Sequence, residues 1–266
     1  MSKKLLAYPF LAASISFGLG GCQESSRETG SQEEQEEEGA AWSYDGETGP
    51  KNWGELDPEY AACAEGEEQS PINISLSDTN ESEEMEDISL NYQPSNFSLA
   101  NNGHAVQANA KGAVNTMVLG EKEYQLKQFH FHAPSEHLIS DQTYDMELHF
   151  VHESEDGNSA VIGIMIEEGK ENEALSEFWD ELPAEETEQN VELEEPIDVE
   201  GLIPEDQTTL HYEGSLTTPP CTEEINWALF KEPVQASKEQ IEEFKQIHND
   251  TDRPVQPVNE REVIEN

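Results

Sequence analysis

The chain has 266 residues, with 59 acidic side chains against 13 basic and a formal charge of −46 at neutral pH. A surface of that sign repels nucleic acid and anionic lipid, so neither is expected as a partner. At this length one or two domains fit, and a single large sheet domain is allowed.

Residues 1–21 read as an export leader. Lys3 and Lys4 precede a largely apolar run, Leu5 to Phe17, that contains Pro9 and is too short to span a bilayer. Its end, Leu19-Gly20-Gly21-Cys22, resembles the lipobox of bacterial lipoproteins, which implies cleavage before Cys22 and acylation of that cysteine. Several acyl chains anchor a protein stably where one is marginal. The expected location is the bacterial cell envelope, on its periplasmic or extracellular face, with the membrane touched only through the anchor. Residues 22–40 are the lipidated cysteine and a disordered tether: 23–40 carry seven Glu, one Arg and no large apolar side chain, too little to offset ordering entropy. Removing the leader's +2 and the tether's −6 leaves −42 for residues 41–266, so the folded domain is itself acidic. Salt relieves self-repulsion on that scale, which points to a halophilic or alkaline setting. With Cys22 acylated, Cys63 and Cys221 remain as an even pair in an oxidising compartment, either bridged or as two buried thiols.

From residue 41 the chain reads as one mixed domain, mostly sheet. It opens on an irregular segment with Trp42, Tyr44 and Trp53. Short alternating apolar runs follow at 88–92, 105–108, 114–118, 123–132, 147–152, 159–166, 208–212 and 225–230, parted by turn residues such as Asn101-Asn102-Gly103 and Asp156-Gly157-Asn158. Helices are expected at 171–180 and 237–248, the second with Ile241, Phe244 and Ile247 at helical spacing. Residues 184–196, AEETEQNVELEEP, read as an acidic surface loop.

Two of these runs carry the chemistry. In Gln128-Phe-His130-Phe-His132 and Glu147-Leu-His149, alternation along a strand puts His130 with His132, and Glu147 with His149, on one face. Two neighbouring strands would then aim three neutral imidazoles at one point. That donor set suits Zn²⁺ at about 2.0–2.1 Å and leaves a fourth position open, as in catalytic zinc sites. Gln128 and Glu147 each sit two residues before a histidine, where a side chain can hold an imidazole N–H and fix its tautomer.

The pattern resembles the α-class carbonic anhydrases over about residues 42–257. The match rests on Trp42-Ser-Tyr44, Gln69-Ser-Pro-Ile72, Asn101-Asn-Gly-His104, Gln128-Phe-His-Phe-His132, Ser135-Glu-His137, Met146-Glu-Leu-His149, Ser215-Leu-Thr-Thr-Pro-Pro220 and Arg253-Pro-Val-Gln-Pro257. Any one of these is weak alone, but eight in the family's order are specific. The resemblance implies a mixed α/β, predominantly β domain: a central, largely antiparallel sheet of about ten strands, a few peripheral helices and zinc in a conical cleft. It also implies cis peptides at Ser70-Pro71 and Pro219-Pro220, and a bridge between Cys63 and Cys221 that braces the loop presenting Thr217.

The function implied is reversible hydration of carbon dioxide to bicarbonate by a zinc hydroxide held on His130, His132 and His149. Thr217 would accept the hydroxide's hydrogen and donate its own to Glu136. Val151, Val161, Leu216, Ile225 and Trp227 match an apolar substrate wall, with Thr218 beside them as a polar contact. His104 matches the proton shuttle, an imidazole whose ordinary pKa lies near neutrality. Tyr44, Asn102 and Gln107 match the residues that order its waters. His137 and His152 face other ways and read as structural; His211 and His248 receive no role. Thr251 departs from the family pattern, standing where Asn is frequent. Competing readings are a non-catalytic carbonic-anhydrase-like binding module and a surface zinc-binding lipoprotein. The complete set of three histidines, Glu136 and Thr217 argues against the first, and acidic stretches that lack histidine argue against the second. Ester hydrolysis fits the same site as a side activity. The domain is expected as a monomer or homodimer.

Overall fold

The computed structural model describes residues 40–82 and 88–266. The leader, Cys22 and nearly all of the tether lie outside the described residues. Among those described, no helix is long and apolar enough to cross a membrane.

The domain is built on one sheet of thirteen strands among the described residues, with a separate two-stranded pairing of Asn73–Ile74 and Leu138–Ile139. At its centre Lys122–His132, Met146–Ser154 and Ser159–Glu168 run antiparallel. Ile225–Phe230 then joins Ser159–Glu168 in parallel and Thr209–Gly214 returns antiparallel to it. Val234–Ala236 and the pair Asn80–Glu81 with Ile264–Glu265 add further parallel contacts. Most pairings among the described residues are antiparallel, as expected, but the sheet is mixed and has more strands than the expected ten. Periodicity reveals that a segment is a strand but not which neighbour it pairs with, and two-residue strands show no period at all.

The expected run 225–230 matches its strand, and the other runs fall within one or two residues of theirs. Phe97–Asn101 was not anticipated, because it is buried on both faces and so lacks alternation. The helix expected at 171–180 is broken into Glu173–Ser176 and a 3₁₀ turn at Trp179–Glu181: Phe178 between them leaves helical backbone at φ −137°, although Leu175, Phe178 and Trp179 keep helical spacing and are all buried. The helix expected at 237–248 forms as Lys238–Ile247 with those two residues as its caps. Ser237 and Gln240 close a capping box and Ile241 and Phe244 are buried.

Alternation divides the central strands between two cores. Phe129, Phe131, Leu148, Phe150, Ile162 and Ile164 pack under Phe178, Trp179 and Phe244. The opposite face carries Val161, Met165, Tyr212, Ile225, Trp227 and Leu229. A register shift between Leu126 and Gln128 adds one residue to Lys122–His132, so that Leu126 and Phe129, three apart, enter the same core, while plain alternation beyond it keeps Gln128 on the face of His130. Pairing then places His130 opposite His149 and His132 opposite Glu147.

A third cluster of Trp53, Tyr60, Cys63 and Cys221 sits beside Trp42 and Tyr44. Cys63 and Cys221 form a disulfide across 158 residues, as the resemblance implies. In the chain-entropy model a loop of that length adds up to about 5 kcal/mol. The peptides Ser70-Pro71 and Pro219-Pro220 are cis as expected, and Ala133-Pro134 is a third.

Candidate metal centre

Three imidazoles meet on the second face, with ring centroids 5.0 Å (His130 to His132), 5.2 Å (His130 to His149) and 4.8 Å (His132 to His149) apart. Each ring has one nitrogen committed to an oxygen. His130 Nδ1 donates to Gln128 Oε1 at 2.8 Å, His132 Nδ1 to the Thr251 carbonyl at 2.6 Å and His149 Nε2 to Glu147 Oε1 at 2.7 Å. A nitrogen facing such an oxygen carries a proton, so in the neutral ring the other nitrogen is left with a lone pair. Those lone pairs are on His130 Nε2, His132 Nε2 and His149 Nδ1, and one nitrogen from each ring lies within 4.8 Å of the others. His132 Nε2 is buried and has no partner among the described residues. Burial, then the neighbouring histidines, hold His130 well below its ordinary pKa; burial lowers His149 as well, against the pull of Glu147. Neutral imidazoles with converging lone pairs fit a zinc-type ion.

Glu147 organises this floor. Its Oε2 accepts the backbone N–H of Glu136 at 2.9 Å and of His137 at 2.8 Å, and its Oε1 accepts from His137 Nδ1 and His149 Nε2, both at 2.7 Å. Burial alone would raise this carboxyl, but the electrostatic pull and hydrogen bonds of His137 and His149 hold it well below the usual carboxylate range. Glu147, His137 and His149 also lie close enough to suggest a second ion. The two hydrogen bonds to Oε1 account for that proximity, with protons in the place of a metal. His137 continues inward to Tyr212 OH at 2.6 Å and Tyr212 to Ser70 Oγ at 2.7 Å. Ser70 and Ser215 exchange two hydrogen bonds, at 2.9 and 3.1 Å, just ahead of Leu216 and Thr217. His137 is thus structural, as read, while Tyr212, and Ser70 beyond its place in the Gln69-Ser-Pro-Ile72 match, gave no signal in the sequence.

Glu136 is buried beside the triad. Its Oε1 accepts the Arg253 N–H at 2.9 Å, while Oε2 lies 3.5 Å from His132 Nε2 and has no hydrogen bond among the described residues. The implied bond from Thr217 to Glu136 is therefore not made. Thr217 is buried on a loop fixed through its backbone, with Leu216 N–H to Thr222 O at 2.9 Å and Cys221 N–H to Thr218 O at 2.8 Å. Nothing in that bracing sets the torsion of the Thr217 hydroxyl. Arg253 spans the region, donating to Gln69 Oε1, Ser70 O and Cys63 O at 2.7–2.9 Å. Thr251 touches His132 through its carbonyl, so the departure from Asn leaves that contact intact.

Val161, Ile225 and Trp227 are buried, and Val151 and Leu216 pack against the same cluster. The Trp227 ring stands 5.0 Å from His149 and its Nε1 donates to the Ser215 carbonyl at 3.0 Å. Thr218 is half-buried. The five residues thus share one apolar cluster, which Trp227 brings against His149.

His104 is half-buried and stacks on Trp42, centroids 3.8 Å apart and planes 12° from parallel. Tyr44 OH is buried without a partner among the described residues. Asn102 Oδ1 accepts the N–H groups of His104 and Ala105 at 2.9 and 2.8 Å, so that oxygen closes the turn. These two bonds engage only the oxygen of Asn102, and the residue is exposed. Gln107 pairs in register with His130 and donates to Asn109 Oδ1 at 2.8 Å.

Three converging imidazoles on a predominantly β domain, with a carboxylate tying them to the backbone and an apolar cluster alongside, have the donor set of a mononuclear metal site. Residues 48–266 match the family model of the eukaryotic-type carbonic anhydrases. The carbonic anhydrase of Neisseria gonorrhoeae is 40% identical over 225 residues, covering 84% of this chain and 87% of its own. The α-carbonic anhydrase of Thermovibrio ammonificans, solved with the inhibitor sulfanilamide, superposes with a TM-score of 0.82 at 42% identity, over 85% of this chain and 100% of that one. A hyperthermostable carbonic anhydrase identified from a hydrothermal vent chimney gives 0.79 at 44% identity, over 85% and 99% of the two chains. The chain belongs to the α-class carbonic anhydrase family, enzymes of carbon dioxide hydration.

Proposed function

We propose that the chain hydrates carbon dioxide with Zn²⁺ held by His130 Nε2, His132 Nε2 and His149 Nδ1. The observation that carries this is the held proton on the opposite nitrogen of each ring. Bound there, zinc supplies a Lewis acid that brings the pKa of water to about 7, a figure established for carbonic anhydrases themselves and carried over to this chain. Gln128, Glu147 and the Thr251 carbonyl hold the ligands; Glu136 Oε2 is the free acceptor for Thr217, which would orient the attacking oxygen. Carbon dioxide offers little to hydrogen-bond, which suits the wall of Val151, Val161, Leu216, Ile225 and Trp227, with Thr218 as the polar contact for bicarbonate. His104 takes the released proton outward, past Tyr44, Asn102 and Gln107.

Zinc stoichiometry measured together with stopped-flow hydration tests this reading. One zinc per chain with hydration supports it, and zinc bound without hydration overturns it. The leader motif supports export and lipid anchoring through Cys22 at a bacterial envelope, and the disulfide fits an oxidising compartment. Mass spectrometry of membrane-extracted protein should find acyl chains on Cys22. The acidic domain should melt at higher temperature in molar salt than in dilute buffer, and an unchanged midpoint would count against a halophilic protein. The domain is read as a monomer or homodimer.

A further inference from the structure

The acidic segment after Leu182 has no part in the chemistry above, yet it is packed on the turn that carries His104. Thr187 N–H donates to Asn101 O at 2.9 Å, Asn101 N–H to Thr187 Oγ1 at 3.2 Å and Asn101 Nδ2 to Pro183 O at 3.0 Å. Further on, Val191–Glu192 pairs antiparallel with Leu99 and Ser98. His248, at the end of the Lys238–Ile247 helix, donates from Nε2 to Asn101 Oδ1 at 3.1 Å, the oxygen that also accepts Gly103 N–H at 3.0 Å. This frame delivers Glu186 to the tip of the turn. A Cβ on Gly103 would sit 2.6 Å from Glu186 Oε1, so the carboxylate lies against the backbone of the residue preceding His104. Gly103 has φ +82°, so glycine meets both the conformation and the close approach.

We propose that Glu186 is a positioning residue for proton transfer, its carboxylate placed to stabilise the imidazolium that His104 becomes whenever it accepts a proton from the site. This rests on reading His104 as the shuttle. The proton leaves the site, binds an imidazole nitrogen of His104 and passes to buffer; Glu186 forms and breaks no bond. The charged or titratable groups that act on His104 are Glu186 from the acidic segment and His248 from the helix end, while Trp42 covers one ring face without charge. Burial draws the His104 pKa down and the Glu186 carboxylate opposes it. Burial, and then the charge on His104, lower His248, so it remains a neutral donor to Asn101 while the shuttle is loaded.

Glu186→Gln keeps the shape and removes the charge. In the variant the His104 midpoint, followed by NMR, should fall. At saturating carbon dioxide in weak buffer kcat should drop by up to about fivefold, the reach of one charge pair near water, with kcat/KM unchanged. Molar salt should close the gap between the two proteins. His104→Ala, assayed alongside, separates the possible failures. If it leaves kcat in weak buffer unchanged, the shuttle reading fails and the role of Glu186 fails with it. If it slows turnover while Glu186→Gln keeps the parent's midpoint or the parent's kcat, Glu186 alone is overturned.

Discussion

The floor of the site and its rim are built by opposite means. At the floor, Glu147 is fully enclosed and takes four hydrogen bonds, two from backbone and two from imidazoles, and each ligand ring has one nitrogen fixed. At the rim, His104 is half-exposed; its ring rests on Trp42, and hydrogen bonds hold only the backbone of its turn. Buried polar groups must be satisfied, so folding itself sets the ligand geometry. A group that trades protons with buffer has to keep contact with water. In the proposed mechanism rigidity and exchange thus fall to different parts of the domain.

The largest effect is expected where the floor is broken. His149→Ala removes one ligand nitrogen and one of the four donors to Glu147, so metal content and hydration should both fall to background. Stoichiometric metal with normal turnover in this variant would abolish the distinction between floor and rim. Glu147→Gln keeps the shape but replaces one acceptor oxygen with an amide. Metal affinity, read by chelator competition, should weaken about 10- to 100-fold, as for other partners behind a metal ligand. His104→Ala should leave metal affinity and kcat/KM alone and slow turnover in weak buffer by about tenfold, with imidazole restoring it. A loss of metal in that variant would show that the rim is not separable from the floor.

The smallest change at neutral pH is expected from His152, buried on the opposite face of the sheet and bonded to Tyr92 OH at 2.7 Å. Burial lowers its pKa to about 4. The unfolded chain therefore takes up the proton first as pH falls. Its contribution to stability is full above about pH 6.5, declines toward pH 4 and is constant below that, a loss of roughly 3 kcal/mol. Denaturant unfolding across this window should show a shallower decline in His152→Gln than in the parent. Equal slopes would remove His152 from the account.

Much of the floor was legible because its signals are periodic. A two-residue repeat put His130 with His132 and Glu147 with His149, and the same spacing placed Gln128 and Glu147 behind their rings. What holds His132 was not legible, since a backbone carbonyl at Thr251 leaves no trace in side-chain identity. The tie from Glu147 through His137 and Tyr212 to Ser70 joins residues far apart in sequence, and only the folded sheet brings them together. Parallel pairing of Ser159–Glu168 with Ile225–Phe230 and the doubly buried strand Phe97–Asn101 escaped for the same reason: neither leaves an alternating pattern. At the rim, residues 184–196 were legible as an acidic loop, but composition alone could not place Glu186 against Gly103.

The contrast is tested most directly by ¹⁵N NMR of the histidine side chains in metal-free protein. Each ligand ring should keep a held proton on one fixed nitrogen, Nδ1 of His130 and His132 and Nε2 of His149, while the His104 ring exchanges its protons freely. Ligand rings that exchange tautomers as freely as His104 would contradict a floor set by folding.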